Sequence, residues 1–461
     1  MGLLVILFCL LLTSCGVYNK YERPDVETKG LIRDAVSDVD TLAVQDTASF
    51  GNLPWREVFT DPQLQALIEQ GLQKNANLQN AVLTVQMYET MLKAAKLAFL
   101  PAVNFGSNSN PMGSIQTIYT DPSQTSKSYS LPVTASWTLD LFGNILSQKR
   151  STQMKLLGYK DYQMAVRAQV VGGIANCYYT LLMLDEQLRI VTDMSEMAKE
   201  TWDMMKLQYQ LGRIRSTSVQ SAEAAYLSMQ TQANDMRRQI RSTENALSLL
   251  IGQAGQQIPR STLAQQSLPT EFSAGVGIAL LKNRPDVHNA EMQLAACFHD
   301  VQTARSQFYP SITVGFSAAF GNGGGSLNPG KWITNLFGNL AQPIFNRGAL
   351  TAKLKVSKLQ YEQAFNTWQN AILSAGNEVS NALVNYNAYD NNSKLESQRI
   401  EVLTQNVEDT RALYKSSGGS YLEVLTAQTQ LLSAQINKVT DDFNKMQAVV
   451  SLYTALGGGG K

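Results

Sequence analysis

Residues 129–141 read YSLPVTASWTLDL, and this stretch decides the fold. Every odd position from Tyr129 to Leu141 is apolar, whereas the even positions carry Ser, Thr, Asp and one Pro. Successive side chains of a strand point to opposite faces, so this period of two predicts a strand with one apolar face and one polar face. Membrane-spanning β-barrels need such alternation over about 10 residues, although a half-buried strand of a soluble sheet has the same local pattern.

The alternation returns at residues 312–320, and weaker strand candidates lie at 102–107 and 332–345. We therefore predict four strands in two hairpins. Four membrane strands cannot close, because the smallest bacterial barrels have about 8 and an open edge in lipid leaves backbone groups unpaired. The chain is therefore expected to close its barrel by oligomerisation.

Long stretches on the C-terminal side of each predicted hairpin carry apolar residues in alternating steps of four and three, which is the pattern of a coiled-coil helix. From Val170 to Tyr209 the clear polar interruption is Ser195, and the pattern restarts after Gly212. Four long helices are predicted, two in each half of the chain: 147–211, 217–251, 350–416 and 420–456. The first would be about 100 Å long at 1.5 Å per residue.

The chain is internally duplicated. Tyr209 and Val219 recur as Tyr414 and Val424, with the same spacing between the two members of each pair. Each half therefore reads as a helix, two strands, a long helix and a return helix. The predicted organisation is a lipidated N-terminal segment, a first repeat, a linker, a second repeat and a tail: 15–60, 61–260, 261–285, 286–457 and 458–461.

The N-terminus contains Leu12-Thr13-Ser14-Cys15, the four-residue pattern at which bacterial lipoprotein precursors are cut and acylated on cysteine. The apolar run before it spans only residues 3–12, whereas a membrane-spanning helix needs about 20. Residues 1–14 are therefore predicted to be a signal peptide. Acylated Cys15 is expected to anchor the mature protein to a membrane.

Composition excludes several classes of function. The net charge is +1 with only 16% charged residues, so no basic face for nucleic acid is indicated. Two histidines, His288 and His299, are too few for the common histidine metal sites. No set of nucleophile, base and metal ligands suggests an enzyme, and no cofactor is expected. Cys177 and Cys297 are interpreted as buried apolar residues, with a disulfide between them left open.

Several motifs together resemble the TolC-like outer-membrane efflux proteins, in their lipoprotein (OprM/NodT-like) branch. They are residues 55–81, the strand end 137–143, the segment Asn283-Arg-Pro-Asp-Val287 and the duplicated helix tips. The resemblance implies a mostly helical homotrimer with a 12-stranded outer-membrane barrel, a 12-helix periplasmic tunnel and an equatorial belt. It also implies that the two hairpins span 102–142 and 311–345 and that their loops, 114–127 and 322–331, face outside. It also implies two partners, a periplasmic adaptor (membrane fusion) protein and an inner-membrane pump of the RND type.

By resemblance, the periplasmic tip of the tunnel is a gate. Tyr414 matches the family's tip tyrosine and Glu423 the first acid of its acidic pair. Thr426 stands in place of the second acid, and Ser218 replaces an acid in the first repeat. Three copies of Glu423 could form an anionic ring that binds cations. A glutamate that only complements the helix dipole is an equally good interpretation.

The two hairpin tips, Gly212 with Arg213 and Gly418 with Gly419, are expected to dock the adaptor; Gly419 also stands where some members place a gate arginine. The sequence thus predicts an outer-membrane exit duct that passively conducts small toxic compounds from the periplasm to the outside. The exit pore of a type I protein-secretion system is an alternative with the same architecture. A periplasmic coiled-coil adaptor or structural lipoprotein without a barrel is an alternative of another class.

Overall fold

The structure of the chain is a computed structural model. It describes residues 19–26, 50–105, 114–121, 124–269, 284–321, 331–416 and 420–460. The signal peptide and Cys15 lie outside the described residues, as do Gly418 and Gly419 at the second hairpin tip.

Helices make up most of the described chain. They are α1 Trp55–Val58, α2 Pro62–Lys74, α3 Ala76–Leu97, α4 Asn144–Gln210, α5 Ser216–Leu250, α6 Pro285–Ser306, α7 Ala349–Lys415 and α8 Tyr421–Ala455. Single 3₁₀ turns occur at Phe50–Asn52 and Leu263–Gln265. Among the helices of the described residues, none combines the length and apolar character needed to cross a membrane.

The internal duplication predicted from the sequence is confirmed in the lengths of the helices. The long helices α4 and α7 both have 67 residues, the return helices α5 and α8 both have 35, and the short helices α3 and α6 both have 22. The two repeats therefore correspond residue by residue along their helices. We call two residues counterparts when they occupy the same place in matching helices. Places are counted from the first residues of each pair of helices, which are Ala76 and Pro285, Asn144 and Ala349, and Ser216 and Tyr421.

The return helices end in the same way. Gly252 and Gly457 have φ of 68° and 85°, in the left-handed region that favours glycine. The following residues, Gln253 and Gly458, donate their N–H groups to the carbonyls of Ser248 and Tyr453. This 6→1 hydrogen bond belongs to the Schellman motif, so each repeat stops its return helix with the same backbone device.

The strands form one antiparallel sheet. They are β1 Ala102–Phe105, β2 Ser114–Asp121, β3 Gln124–Leu139, β4 Ser311–Gly321 and β5 Lys331–Ala341. β3 pairs with β4 in the centre, and β4 pairs with β5. β1 and β2 both lie along the other edge of β3, because Ser130 pairs with Ser114 on one side and with Gly321 on the other. The sheet is thus four strands wide.

The prediction that residues 114–127 form a loop was wrong. Residues 114–121 form β2, and β3 already begins at Gln124. These residues are mostly polar and lack a clear two-residue period, so hydrophobicity alone gave no signal for a strand. The second predicted loop, 322–331, lies outside the described residues except for Lys331, which begins β5.

Two compact units are recognised in the chain. One comprises Met1–Val26, Leu83–Lys160 and Asn289–Asn370, and includes the sheet. The other comprises Glu27–Val82, Asp161–His288 and Ala371–Lys461, and contains the largest apolar core. In that core α4 contributes a nearly continuous buried face, exemplified by Val171, Ile174 and Leu181, which are fully buried.

The cysteines differ from the prediction. Both Cys177 and Cys297 are free thiols and are only partly buried, rather than full members of the core. Burial raises the pKa of each thiol, so both favour the protonated form.

Candidate channel wall, junction and gate

One face of the sheet is apolar and exposed. Odd-numbered residues of β3 pair with even-numbered residues of β4, and the same residues of β4 pair with even-numbered residues of β5. The side chains of all these residues therefore share one face of the sheet. The large apolar side chains on this face include exposed ones from β1, β3, β4 and β5: Val103, Phe105, Trp137, Val314, Phe316, Trp332, Leu336 and Leu340. A contiguous exposed apolar surface of this kind is unusual in a soluble monomer and indicates contact with lipid or another apolar partner.

The opposite face carries Thr134, Ser136, Thr138, Thr313 and Ser317, with Asn335 and Asn339 from β5. Phe337 is an aromatic side chain on this polar face. It pairs with Gly315, and a Cβ atom at Gly315 would collide with the Phe337 ring. The ring therefore lies over the backbone of β4, where only glycine leaves room for it.

A buried arginine binds both the end of α8 and the start of α6. Arg284 donates from Nη1 to the carbonyl of Ala455 at the end of α8, at 2.9 Å. Its Nε and Nη2 donate to Asp286 in the first turn of α6, and Nη2 also reaches Glu378 Oε2 at 2.7 Å. Burial opposes the charge of Arg284, but Asp286 and Glu378 outweigh it and raise the pKa of the guanidinium. Arg284 thus forms a fixed junction at the linker.

Arg284 lies in the segment 283–287 that carried part of the family resemblance, but its contacts were not predicted. Glu378, far along the chain in α7, carried no local signal.

A second cluster was also missed. Asp61 caps α2 and accepts hydrogen bonds from Tyr178 Oη at 2.6 Å and Gln266 Nε2 at 2.9 Å. Burial opposes its charge, but these bonds and one from Ser261 outweigh it and lower the carboxyl pKa. The pattern Asp61-Pro62 gave only a helix start.

The first hairpin tip is a tight turn built on glycine. Gly212 has φ of 70°, and Arg213 N–H donates to the carbonyl of Gln208 at 2.9 Å. Nothing lies within 4 Å of a Cβ placed at Gly212, so backbone conformation rather than space favours glycine. Arg215 precedes α5 without a side-chain cap, and Ser218 is half-buried in the first turn.

The second hairpin tip begins α8 with a capping box. Ser420 Oγ accepts from Leu422 N–H at 3.3 Å, and Glu423 Oε2 accepts from Ser420 N–H at 3.2 Å. Glu423 and Thr426 are both exposed, and Thr426 Oγ1 donates to the carbonyl of Leu422. Glu423 is therefore held at the helix start, where its carboxylate also complements the helix dipole.

Tyr414 connects the two long helices near the tips. Its hydroxyl donates to Gln208 Oε1 at 3.1 Å, and Arg411 Nη2 lies 3.0 Å from Glu200 Oε2 nearby. Burial raises the pKa of Tyr414, so its hydroxyl stays a neutral donor. The structure thus brings Tyr414 to α4 of the same chain.

Over the described residues, no group of three or more His, Cys, Asp or Glu side chains is arranged to hold a metal ion.

Two long helical hairpins, together with a sheet that has one apolar and one polar face, define a class of outer-membrane channel proteins. The sequence profile of the outer membrane efflux protein family matches residues 67–253 and 278–458 of this chain. This chain therefore belongs to the outer membrane efflux protein family, a family of transport proteins.

Two relatives with known roles align with most of this chain. The cation efflux system protein CusC of Escherichia coli O157:H7 is 26% identical over 457 residues, covering 98% of each chain. The solvent efflux pump outer membrane protein SrpC of Pseudomonas putida is 28% identical over 409 residues, covering 88% of this chain and 87% of SrpC. A solved structure of CusC, studied for transmembrane channel formation, superposes with a TM-score of 0.83 at 25% identity, covering 96% of this chain and all of that one.

Proposed function

We propose that the protein is the outer-membrane exit duct of a tripartite efflux pump and passively conducts small toxic compounds from the periplasm to the outside. Three copies would close a 12-stranded barrel and a 12-helix tunnel. Energy would come from the pump.

The sheet carries this proposal. Its width of four strands leaves β1 with β2 at one edge and β5 at the other, with unpaired backbone groups along both. In a bilayer each such group would cost several kcal/mol, and joining edges of three copies removes the cost. The apolar face then meets lipid and the polar face lines the pore.

The family and the hairpins support a proposal about the partners. We propose that Gly212 with Arg213, and Gly418 with Gly419, dock a periplasmic adaptor (membrane fusion) protein, and that the adaptor connects the duct to an inner-membrane pump of the RND type. Turns that join a 67-residue helix to its return helix are well suited to this contact, because they lie at the ends of the hairpins.

Lipid attachment is a further part of the proposal. Acyl groups on Cys15 would hold the chain in the outer membrane, and mass spectrometry of the mature protein tests this. A free N-terminal cysteine, or a chain that retains residues 1–14, would contradict it.

The gate belongs to the same proposal, with Tyr414, Glu423, Thr426 and Ser218 at the constriction. Tyr414 would hold α7 to α4 through Gln208 while the tip is closed. In the trimer, three Glu423 carboxylates would form an anionic ring that favours cations.

Single-channel recording in planar bilayers tests duct and gate separately. The wild-type protein should conduct ions, and Glu423→Gln should lower cation selectivity, while the control Glu401→Gln on the exposed surface of α7 should not. Bilayers that stay silent would contradict the duct. Unchanged selectivity in Glu423→Gln would remove only the ring.

Efflux in cells tests the direction and range of transport. A strain lacking the gene should become sensitive to toxic cations, to organic solvents, or to both, and expression of the protein should restore growth. Restored secretion of a protein substrate without any effect on small toxic compounds would favour the type I secretion alternative.

A further inference from the structure

Resting on the proposed duct, we propose that Phe337 forms a binding platform for uncharged, planar aromatic compounds on the inner wall of the barrel. The ring supplies a flat π surface, and the side chains around it supply uncharged hydrogen-bonding groups. Each subunit would contribute one platform to the pore.

The side chain of Phe337 lies on the polar face of the sheet. Along β5 it stands between Asn335 and Asn339, which belong to the same face. Its partner on β4 is Gly315, which in turn pairs with Ser136 of β3. Because the proposed duct turns this face toward the pore, Phe337 would present an aromatic ring to solutes in transit.

The ring leans from β5 across β4. A Cβ atom at Gly315 would collide with Cζ, Cε1 and Cε2 of Phe337, so the far half of the ring covers the glycine. Gly315 is buried, whereas residues 311–314 and 316–320 of the same strand are at least partly exposed. The ring therefore rests on the backbone of β4, and the 44% of Phe337 that stays exposed is turned away from the sheet.

Uncharged polar groups surround the ring on this face. Asn335 and Asn339 lie about 7 Å from Phe337 along the strand, and both are exposed. On β4, Thr313 and Ser317 stand on either side of the glycine that the ring covers. Amide and hydroxyl groups can donate to and accept from the substituents of a molecule stacked on the ring. These neighbours carry no charge, so a planar uncharged compound fits this surface better than an ion does.

A ring over a glycine can also stabilise a sheet, because it covers backbone that glycine leaves bare. That structural role uses the side of the ring that touches β4, whereas ligand binding uses the side that faces the pore. Loss of stability in a variant of Phe337 is expected from both roles. Binding of an aromatic compound is expected from the platform alone.

Phe316 offers a matched control for the ring. It follows Gly315 in β4, lies on the opposite, apolar face and is 45% exposed, against 44% for Phe337. Its pairing partners are Ala135 and Leu336, so its surroundings are apolar. The two phenylalanines therefore differ in the face that carries them and hardly in exposure.

Caffeine is a suitable probe because it is planar, uncharged and soluble in water, and sucrose is an uncharged probe without an aromatic ring. Saturation-transfer NMR on the purified protein should show binding of caffeine and none of sucrose. Phe337→Leu should weaken caffeine binding about two- to tenfold, which corresponds to the loss of one aromatic contact. Phe337→Tyr and the control Phe316→Leu should bind caffeine as the wild type does.

Labelling after folding gives a test that does not depend on how variants of Phe337 fold. In a Cys177→Ala, Cys297→Ala background, Ser136→Cys places a thiol beside Gly315 on the polar face, and Ala135→Cys places one on the apolar face. N-ethylmaleimide attached at position 136 should crowd the far half of the ring and weaken caffeine binding by a similar factor. The same label at position 135 should have no effect.

The possible outcomes separate the platform from the duct. Wild-type protein that binds caffeine no better than sucrose would overturn the platform, as would binding that survives Phe337→Leu or the label at position 136. An equal loss in Phe316→Leu would also overturn it, because the binding would then not belong to the polar face. Channels that conduct in planar bilayers while caffeine binding fails would remove only the platform, whereas silent bilayers would contradict the duct itself.

Discussion

The two repeats have the same helices and different surroundings. Ile190 of the first repeat is enclosed by its own chain, whereas its counterpart Leu395 in the second repeat is exposed. At the tips the return helices begin differently: Ser420 and Glu423 cap α8, whereas the side chain of Arg215 does not cap α5. The helices of the two repeats are equally long, but the chain buries the surface of one repeat and leaves the matching surface of the other exposed. This difference indicates that a single chain lacks some of the contacts that complete this fold.

The largest expected effect comes from matched truncations in the two repeats. Ile190→Ala should lower the free energy of unfolding by about 3 kcal/mol at every protein concentration, because it leaves a cavity inside one chain. Leu395→Ala should act mainly on the assembly, and its effect should grow on dilution. Urea denaturation at several protein concentrations measures both. Identical concentration dependence in the two variants would remove the distinction between the repeats.

The next effect concerns pH and the buried His299 in α6, whose counterpart in the first repeat is the exposed Thr90. Burial, assisted by Arg150, lowers the pKa of His299 to about 4 from 6.5, while Asp300 acts in the opposite direction. The unfolded chain therefore binds a proton that the native chain does not, and stability falls as pH drops from about 6.5 to about 4, by up to about 3 kcal/mol.

Thermal unfolding of wild type and His299→Gln across this pH range checks the expectation. The variant should lose that part of the acid sensitivity, whereas Thr90→Ser should behave like wild type. A wild-type slope that persists in His299→Gln would assign the acid sensitivity to other groups.

The smallest effect is expected at the helix starts. Ser420→Ala should destabilise the first turn of α8 by about 1 kcal/mol, whereas Arg215→Ala at the uncapped start of α5 should change little. Arg215→Ser combined with Ser218→Glu should build the missing capping box and slow amide hydrogen exchange in the first turn of α5. Equal exchange rates at both helix starts in the wild-type chain would contradict the difference between them.

Much of the fold could be predicted from the sequence because its signals are local and repeated. The heptad pattern and the glycines at the turns set the ends of α4 close to those predicted, 144–210 against 147–211. The two-residue period from Tyr129 to Leu141 identified β3, but the polar residues before it concealed β2. A strand held mainly by its backbone pairing gives little hydrophobic signal.

The candidate sites were less accessible to sequence reasoning. Arg284 and Glu378 meet only because α6 and α7 are folded against α8, and nothing in either local sequence indicates the partner. Likewise the heptads identified the apolar stripes of α4 and α7 but could not tell that one is covered within the chain and the other is not. Those facts depend on tertiary structure, which the pattern of a single helix does not contain.

The equal helix lengths limit how this chain can vary. The segment between the short helix and the long helix, which carries the strands, differs in length between the repeats, while α4 still matches α7 and α5 still matches α8. Inserting one residue in a long helix would turn everything beyond it by about 100° and expose its buried face. The segments around the strands can therefore differ in length, whereas an insertion in a long helix keeps its buried face in place only if it adds close to whole turns.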